Sequence, residues 1–224
     1  FADNDAEAAR LRETLNAEGV FLINLMSSPG SGKTTVLTRL IPLLQQTLRV
    51  GVMEADIDSD VDARTIDGTG VRAIQLHTGG MCHLDADMTK QGLEAFGTED
   101  LDLVVLENVG NLVCPAEFDP GAVKNTMILS VPEGHDKPLK YPLIFTVCDV
   151  LLINKTDVLP YFDFDKKVEA RVMEKFDQDF AGGLPGLPAE FTAVVRNRLH
   201  RLYQTGIMET PLFNSVHRDT TSMV

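Results

Sequence analysis

The chain of 224 residues reads as an α/β protein with three layers, a mainly parallel central sheet lying between two layers of helices. Three observations predict this. Apolar runs rich in Val, Ile and Leu recur along the chain, separated by stretches with helical spacing. The runs are nearly continuous rather than alternating, as expected of strands buried on both faces of a parallel sheet. A glycine-rich turn, SSPGSGKTT, joins the first of these runs to the long helical stretch after it.

Taken in order, residues 6–15 form a short amphipathic helix and VFLINLM (20–26) an apolar strand. The SSPGSGKTT turn opens a helix running to about residue 46, and RVGVMEAD (49–56) is a second strand entering an acidic turn. VRAIQLH (71–77) is a third strand, and HLDADMTKQGLEAF (83–96) has helical spacing through Leu84, Met88 and Phe96. DLVVLENVG (102–110), TMILSV (126–131) and DVLLINKTD (149–157) supply three more strands. Beyond them, 162–176 and 189–204 read as helices on either side of a GGLPGLP turn (182–188). The whole chain is expected to form one domain, with 177–224 its divergent end.

Composition narrows the function. Apolar residues make up 44% and charged residues 24%, ordinary values for a soluble globular protein. No apolar run reaches the roughly 18–20 residues that span a bilayer, and no signal-peptide pattern opens the chain. A chain that starts at Phe1 rather than Met reads as a trimmed or fragmentary terminus. Three cysteines are too few for a disulfide framework and fit a reducing cytoplasm. The formal net charge of −13 repels phosphate backbones, which argues against nucleic acid and anionic membranes as partners and leaves cations open.

SSPGSGKTT is the most specific signal. A phosphate-binding loop needs glycines so that backbone N–H groups can close around a β-phosphate, a Lys for charge, and a Ser or Thr hydroxyl for Mg²⁺. Gly30, Ser31, Gly32, Lys33, Thr34 and Thr35 stand in this loop between a strand and a helix, the context the motif requires. The first glycine of the strict GxxxxGK pattern is replaced by Ser27. NKTD (154–157) ends a later strand. A carboxylate at Asp157 can accept both guanine N1–H and the 2-amino group, a pair adenine lacks. Asn154 would brace the loop and Lys155 would cover the ring face. The bland alternative for those four residues is an ordinary turn after a strand.

Between these motifs lie the switch candidates. Asp56, ending the second strand, and Glu107, ending LVVLE, can each reach a Mg²⁺ shell directly or through water. Asp58, Asp60 and Asp62 compete with Asp56 for that role. ENVG has the form of a DxxG switch with Glu107 in the Asp place and Gly110 free to flip on arrival of a γ-phosphate. No Gln or His is obviously placed to orient an attacking water, so intrinsic turnover is expected to be slow. Cys82 and His83 in MCHLDADM, and Cys114 in NLVCP, all leave the carboxyl ends of strands, the side of an α/β sheet where ligands bind. Two thiolates and an imidazole suit Ni²⁺ or Zn²⁺, although the spacing is not that of a zinc finger and buried structural thiols are the alternative. Cys148, inside LIFTVCDVLLI, reads as a small core residue.

Together SSPGSGKTT, TGGMCHLDAD, ENVGNLVCPAEFD, SVPEGHDKPLKYP and LLINKTD resemble the HypB family, GTPases that deliver nickel during maturation of NiFe-hydrogenases. The resemblance runs from about residue 4 to about residue 175. It implies a P-loop NTPase of the SIMIBI type that binds GTP and GDP, dimerises on GTP, and works with a nickel-transfer partner and a hydrogenase large subunit. It also implies a Ni²⁺ or Zn²⁺ site at the dimer interface carried by Cys82, His83 and Cys114. Lys33 and Thr34 would lie at phosphate and Mg²⁺, Asp56 and Glu107 in the switches as Mg²⁺ and catalytic groups, and Asn154, Lys155 and Asp157 on guanine. Two departures stand out. This chain carries no CxxC or His-rich nickel segment near its start. The Ser-Ala-Lys-like loop that follows NKxD in the family has only Ser215 in LFNSVHRDT as a counterpart, and FAGGLPGLPAEF is divergent. Rival readings are a sister metal-delivery GTPase of the urease or cobalamin type, which CHLDA and NLVCP disfavour, and a P-loop small-molecule kinase, which NKTD disfavours. A nucleotide-binding regulator with a structural zinc is a third.

Overall fold

The structure is a computed structural model that describes residues 2–56, 66 and 68–164. The readings placed on residues 57–65, on the helices of 162–176 and 189–204 beyond residue 164, and on Ser215 lie outside the described residues.

Among the described residues six strands, β1 (Phe21–Ser27), β2 (Val50–Asp56), β3 (Arg72–His77), β4 (Leu103–Glu107), β5 (Lys124–Ser130) and β6 (Val150–Asn154), form one sheet in the order β3-β2-β4-β1-β5-β6. Every pairing is parallel. The helices bounded within the described residues are α1 (Ala2–Glu18), α2 (Lys33–Leu44), α3 (Ala86–Phe96) and three short ones, α4 (Cys114–Glu117), α5 (Lys137–Lys140) and α6 (Pro142–Val147). The α/β architecture read from the continuous apolar runs is therefore present. Each face of a buried strand needs its own cover, and the alternation of side chains along β1 shows both. Phe21 and Leu25 join Leu37, Ile41 and Val52 in the core beneath α2, while Leu22 joins Leu11, Leu15, Leu93 and Leu106 in the core beneath α1 and α3.

The element ends decide where the chemistry stands. α3 begins at Ala86 rather than at residue 83, because the Asp85 carboxylate accepts the Met88 N–H at 2.8 Å and caps the helix there. His83 is left in the loop before it. β4 stops at Glu107, not at 110: the buried Asn108 amide turns inward, donating to Asn24 Oδ1 at 3.0 Å and accepting from Val109 N at 2.9 Å. α1 runs longer than the 6–15 read from amphipathic spacing, and Asn4 ties its start to α3 and to the loop before β5 by accepting the Ala86 N–H at 2.9 Å and donating to Asp119 O at 3.0 Å. β1 sits between β4 and β5. The loop after β1 therefore opens between the loops after those two strands, which is where α/β sheets bind ligands.

Candidate nucleotide and metal site

The phosphate-loop residues close a tight turn between β1 and α2. Gly32, with φ 105°, stands at the start of α2 in a conformation only glycine holds easily. A Cβ there would lie 2.4 Å from Asn154 Nδ2, so the phosphate loop and the NKTD segment touch at this point. Asn154 uses that proximity. Its Nδ2 donates to Ser31 O at 2.7 Å, and its Oδ1 accepts the Lys155 N–H at 2.8 Å. Lys155 takes φ 57°, the single positive φ at a non-glycine among the described residues, and donates Nζ to Gly30 O at 2.6 Å. Backbone held in that region at a cost marks constrained functional loops. Asp157 follows in the 3₁₀ turn Thr156–Tyr161 and is exposed. Asn154 and Lys155 thus meet the phosphate loop directly, while Asp157 projects from the next turn.

On the other side of the loop, Lys33 Nζ donates to the buried Ser27 Oγ at 3.1 Å, and Ser28 Oγ hydrogen-bonds to Glu133. The Glu133 carboxylate also accepts Ser130 N at 2.8 Å and Ser130 Oγ at 2.6 Å in a capping box at the end of β5. Thr34 Oγ1 donates to Glu107 Oε1 at 3.3 Å. Glu107 is 2% exposed, and its Cα partner on β2 is Glu54, also 2% exposed. Thr34 and Glu107 thus come together at the mouth of the loop, a hydroxyl and a carboxylate suited to a hard divalent cation. Asp56 ends the neighbouring strand β2, opposite His77 in register. Thr35 is exposed one residue further on.

Gly110 closes the site from the switch side. A Cβ at this position would meet Pro29 Cα, N and Cγ, each at 3.2 Å, so the ENVG turn rests on the phosphate loop itself. Four residues later comes Cys114. The Sγ atoms of Cys82 and Cys114 and a ring nitrogen of His83 all lie within 4.8 Å of one another, each residue being half-buried. The Cys114 thiol is pushed above its ordinary pKa, first by its hydrogen bond with the Cys82 thiol, then by burial. His83 stacks on Phe118, with ring centroids 3.7 Å apart and planes at 14°, and its buried Nδ1 has no hydrogen-bond partner. A ring held flat, with one of its nitrogens within reach of two sulfurs, is a donor set for a borderline or soft metal ion.

Residues 21–179 match the family model described as CobW/HypB/UreG, nucleotide-binding domain. The hydrogenase maturation factor HypB of Azotobacter chroococcum mcd 1 is 52% identical over 162 residues, covering 72% of this chain and 53% of that protein. The hydrogenase/urease maturation factor HypB of Helicobacter hepaticus is 44% identical over 167 residues, covering 73% of this chain and 68% of that protein. The chain belongs to the HypB family. A crystal structure of HypB from Helicobacter pylori in complex with nickel has a TM-score of 0.69 to it at 35% identity, covering 93% of this chain and 97% of that one. The chain spans about half the length of the Azotobacter relative.

Several contacts of the site were not foreseen from the sequence. Glu133 had a usable signal, since Ser-x-x-Glu directly after an apolar strand is a capping-box pattern. Phe118 under His83, and the approach of Gly110 to Pro29, depend on strand order and carry no local signal. Cys148 is buried at 5% exposure and donates to Phe145 O at 3.3 Å, in the core role read for it. Among the described residues no helix is long and apolar enough to cross a membrane.

Proposed function

We propose that the chain is a slow GTPase that couples its nucleotide state to the carriage of Ni²⁺, or Zn²⁺ in its place, for the maturation of NiFe-hydrogenase. The observation that carries this reading is the segment 107–114. At one end Glu107 meets Thr34, in the middle Gly110 lies against Pro29 of the phosphate loop, and at the other end Cys114 meets Cys82 and His83. One short stretch of chain therefore touches both chemistries.

In this reading the backbone N–H groups of residues 30–35 cradle the phosphates, and Lys33 leaves Ser27 to neutralise the β- and γ-oxygens. Thr34, Glu107 and Asp56 would hold Mg²⁺, which when bound supplies charge neutralisation at the transferring phosphoryl group. Asp157 reads guanine, with Asn154 and Lys155 fixing its loop to the phosphate site. The cargo metal sits on Cys82, His83 and Cys114. Three donors per chain leave a fourth position for water or for a second copy across a two-fold axis, which fits a GTP-dependent homodimer. Neutral or thiolate sulfur donors of this kind belong to a reducing cytoplasm. The whole chain would serve as one G domain that passes its metal between a nickel-transfer partner and the hydrogenase large subunit. The Helicobacter hepaticus relative is a hydrogenase/urease maturation factor, which favours one variation, in which the same site serves urease as client.

Anaerobic titration of the full chain with Ni²⁺ and with Zn²⁺, in GDP and in a non-hydrolysable GTP analogue, followed by sizing, tests the reading. Metal affinity should differ between the nucleotides by about 5–150-fold, the usual range of coupling between linked sites, and the analogue should raise the dimer fraction. Equal metal affinities in the two states would reduce the trio to a structural site.

A further inference from the structure

Asn111 sits between the residue that touches the phosphate loop and the residue that would hold the metal, and both ends of its side-chain amide are engaged there. Its Oδ1 accepts the Val113 N–H at 2.7 Å and the Cys114 N–H at 3.4 Å. Its Nδ2 donates to Cys114 Sγ at 3.6 Å. The assignment of the two amide ends follows from their neighbours. The end facing two backbone N–H groups must be the oxygen, which leaves the NH₂ end for the sulfur.

The turn this builds has fixed ends. Leu112 is buried in the core with Met26 and Met127, while Gly110 rests on Pro29. Between them one amide closes the backbone of 111–114 and places the sulfur. The sulfur is thus held by its own backbone through Oδ1 and directly through Nδ2. A displacement of Gly110 from Pro29 is transmitted to the Cys114 thiol by a short, hydrogen-bonded turn rather than by a loose loop.

We propose that Asn111 is a positioning residue of the metal site: its N–H···S contact sets the place of the Cys114 sulfur, and the turn it closes ties that sulfur to the phosphate loop through Gly110. The inference rests on the reading of Cys82, His83 and Cys114 as the cargo site. Outer partners that orient metal ligands typically change metal affinity by about 10–100-fold when removed. Asn111 differs from a merely structural turn residue in one testable way. A serine at 111 can still accept the N–H of residue 113 in the equivalent turn, but its hydroxyl is too short to reach the sulfur.

The experiment compares the full chain with Asn111→Ser, Asn111→Ala and Cys114→Ala, by anaerobic Ni²⁺ titration read through the sulfur-to-Ni²⁺ charge-transfer absorption, with GDP affinity measured in parallel as the check on folding. Both Asn111 variants should bind Ni²⁺ about 10–100-fold more weakly with a displaced absorption band, and GDP affinity should be unchanged. An Asn111→Ser chain with wild-type affinity and spectrum overturns the inference, whether or not Asn111→Ala is impaired, because the turn alone then suffices. If Cys114→Ala loses Ni²⁺ in that same experiment, the cargo site stands and only the role of Asn111 falls. If Cys114→Ala binds Ni²⁺ like the wild type, the reading of the site falls and the inference with it.

Discussion

Replacing Gly32 by alanine puts the contact between the phosphate loop and the NKTD segment under direct strain. At φ 105° an L-residue is held outside its favoured backbone regions, a cost of about 1–3 kcal/mol. The added Cβ would stand 2.4 Å from Asn154 Nδ2, far inside contact distance, so one of the two must move. The movable partner is the Asn154 side chain, whose Nδ2 donates to Ser31 O at 2.7 Å in a buried bond. Pulling it away leaves a buried carbonyl unpaired, which costs a further 1–3 kcal/mol or so. The sum is about 2–6 kcal/mol, and even its lower end is roughly 30-fold in an equilibrium constant. The loss divides between the folded state and nucleotide affinity, so both a urea denaturation midpoint and a fluorescent-GDP titration are needed.

A double-mutant cycle isolates the cause. In an Asn154→Ala background the methyl group has nothing to displace, and Gly32→Ala should then cost only its backbone strain. The coupling between the two substitutions should be about 1–3 kcal/mol, well above the few tenths expected of independent sites. Strictly additive effects, or a Gly32→Ala chain that binds GDP and unfolds like the wild type, would refute the claim that this glycine exists to admit Asn154.

Three further outcomes are expected. Lys33→Ala should leave the fold intact and lower GTP turnover by at least about 100-fold, as loss of a preorganised charge on the phosphoryl oxygens does; turnover within about threefold of wild type would remove Lys33 from that role. Asp157→Asn should move base preference from guanine toward xanthine nucleotides in competition binding, because an amide can donate to the 2-oxo group, and an unchanged preference for GTP would sink the assignment. Asp102 is held below the usual Asp pKa, first by its hydrogen bond from Arg49, so this pair stabilises the fold above the ordinary Asp value near 3.8 and its contribution disappears as pH falls through the lowered folded value. Arg49→Ala should accordingly lower the denaturation midpoint slightly at neutral pH and converge with wild type at strongly acid pH, and a gap that widens on acidification would contradict the sign.

The strands were legible because each is a short run of apolar residues that must be covered on both faces, and the observed ends fall within a few residues of those read from sequence. The short helices were not. Cys114–Glu117 and Lys137–Lys140 have four residues each, too few for a hydrophobic period to appear. Pro142–Val147 falls largely inside the apolar run LIFTVCDVLLI, where no helix was read, yet Pro142 stands at its start with φ already suited to a helix. At the site, Cys82, His83 and Cys114 could be picked out as candidate ligands by residue type and by their place after strand ends. Phe118 could not, because its contact with His83 depends on which loops the strand order brings together; Asn111 and Glu133 bond within a few residues of themselves, Glu133 in a capping-box pattern and Asn111 as an ordinary amide in a turn.

That strand order also bears on where motion would start under the proposed coupling. Asn108 is fully buried, with its N–H on Leu25 O at 2.9 Å and its side-chain amide on Asn24, which in turn donates to Asn125 Oδ1 at 2.9 Å. This chain of amides crosses from β4 through β1 to β5 inside the sheet's apolar cover, where an unpaired amide costs far more than the bond is worth. On the proposed reading, residue 108 would therefore be the fixed end of the switch. The first residue free to respond to a nucleotide would be Gly110, which contacts the phosphate loop without a side chain of its own. A γ-phosphate that displaced Pro29 or Gly110 would then act on a segment anchored at 108 and at the buried Leu112, so the displacement would be confined to a turn whose last residue is Cys114. Confinement matters energetically. A nucleotide can shift the metal site only by its own difference in affinity for the two arrangements, and a short anchored turn delivers that difference to one sulfur instead of dissipating it over a mobile loop. By linkage the metal must return the same factor to the nucleotide. On the proposed reading, a metal ion that gripped Cys114 in one arrangement would retain the nucleotide that favours it, and release of either would loosen the other.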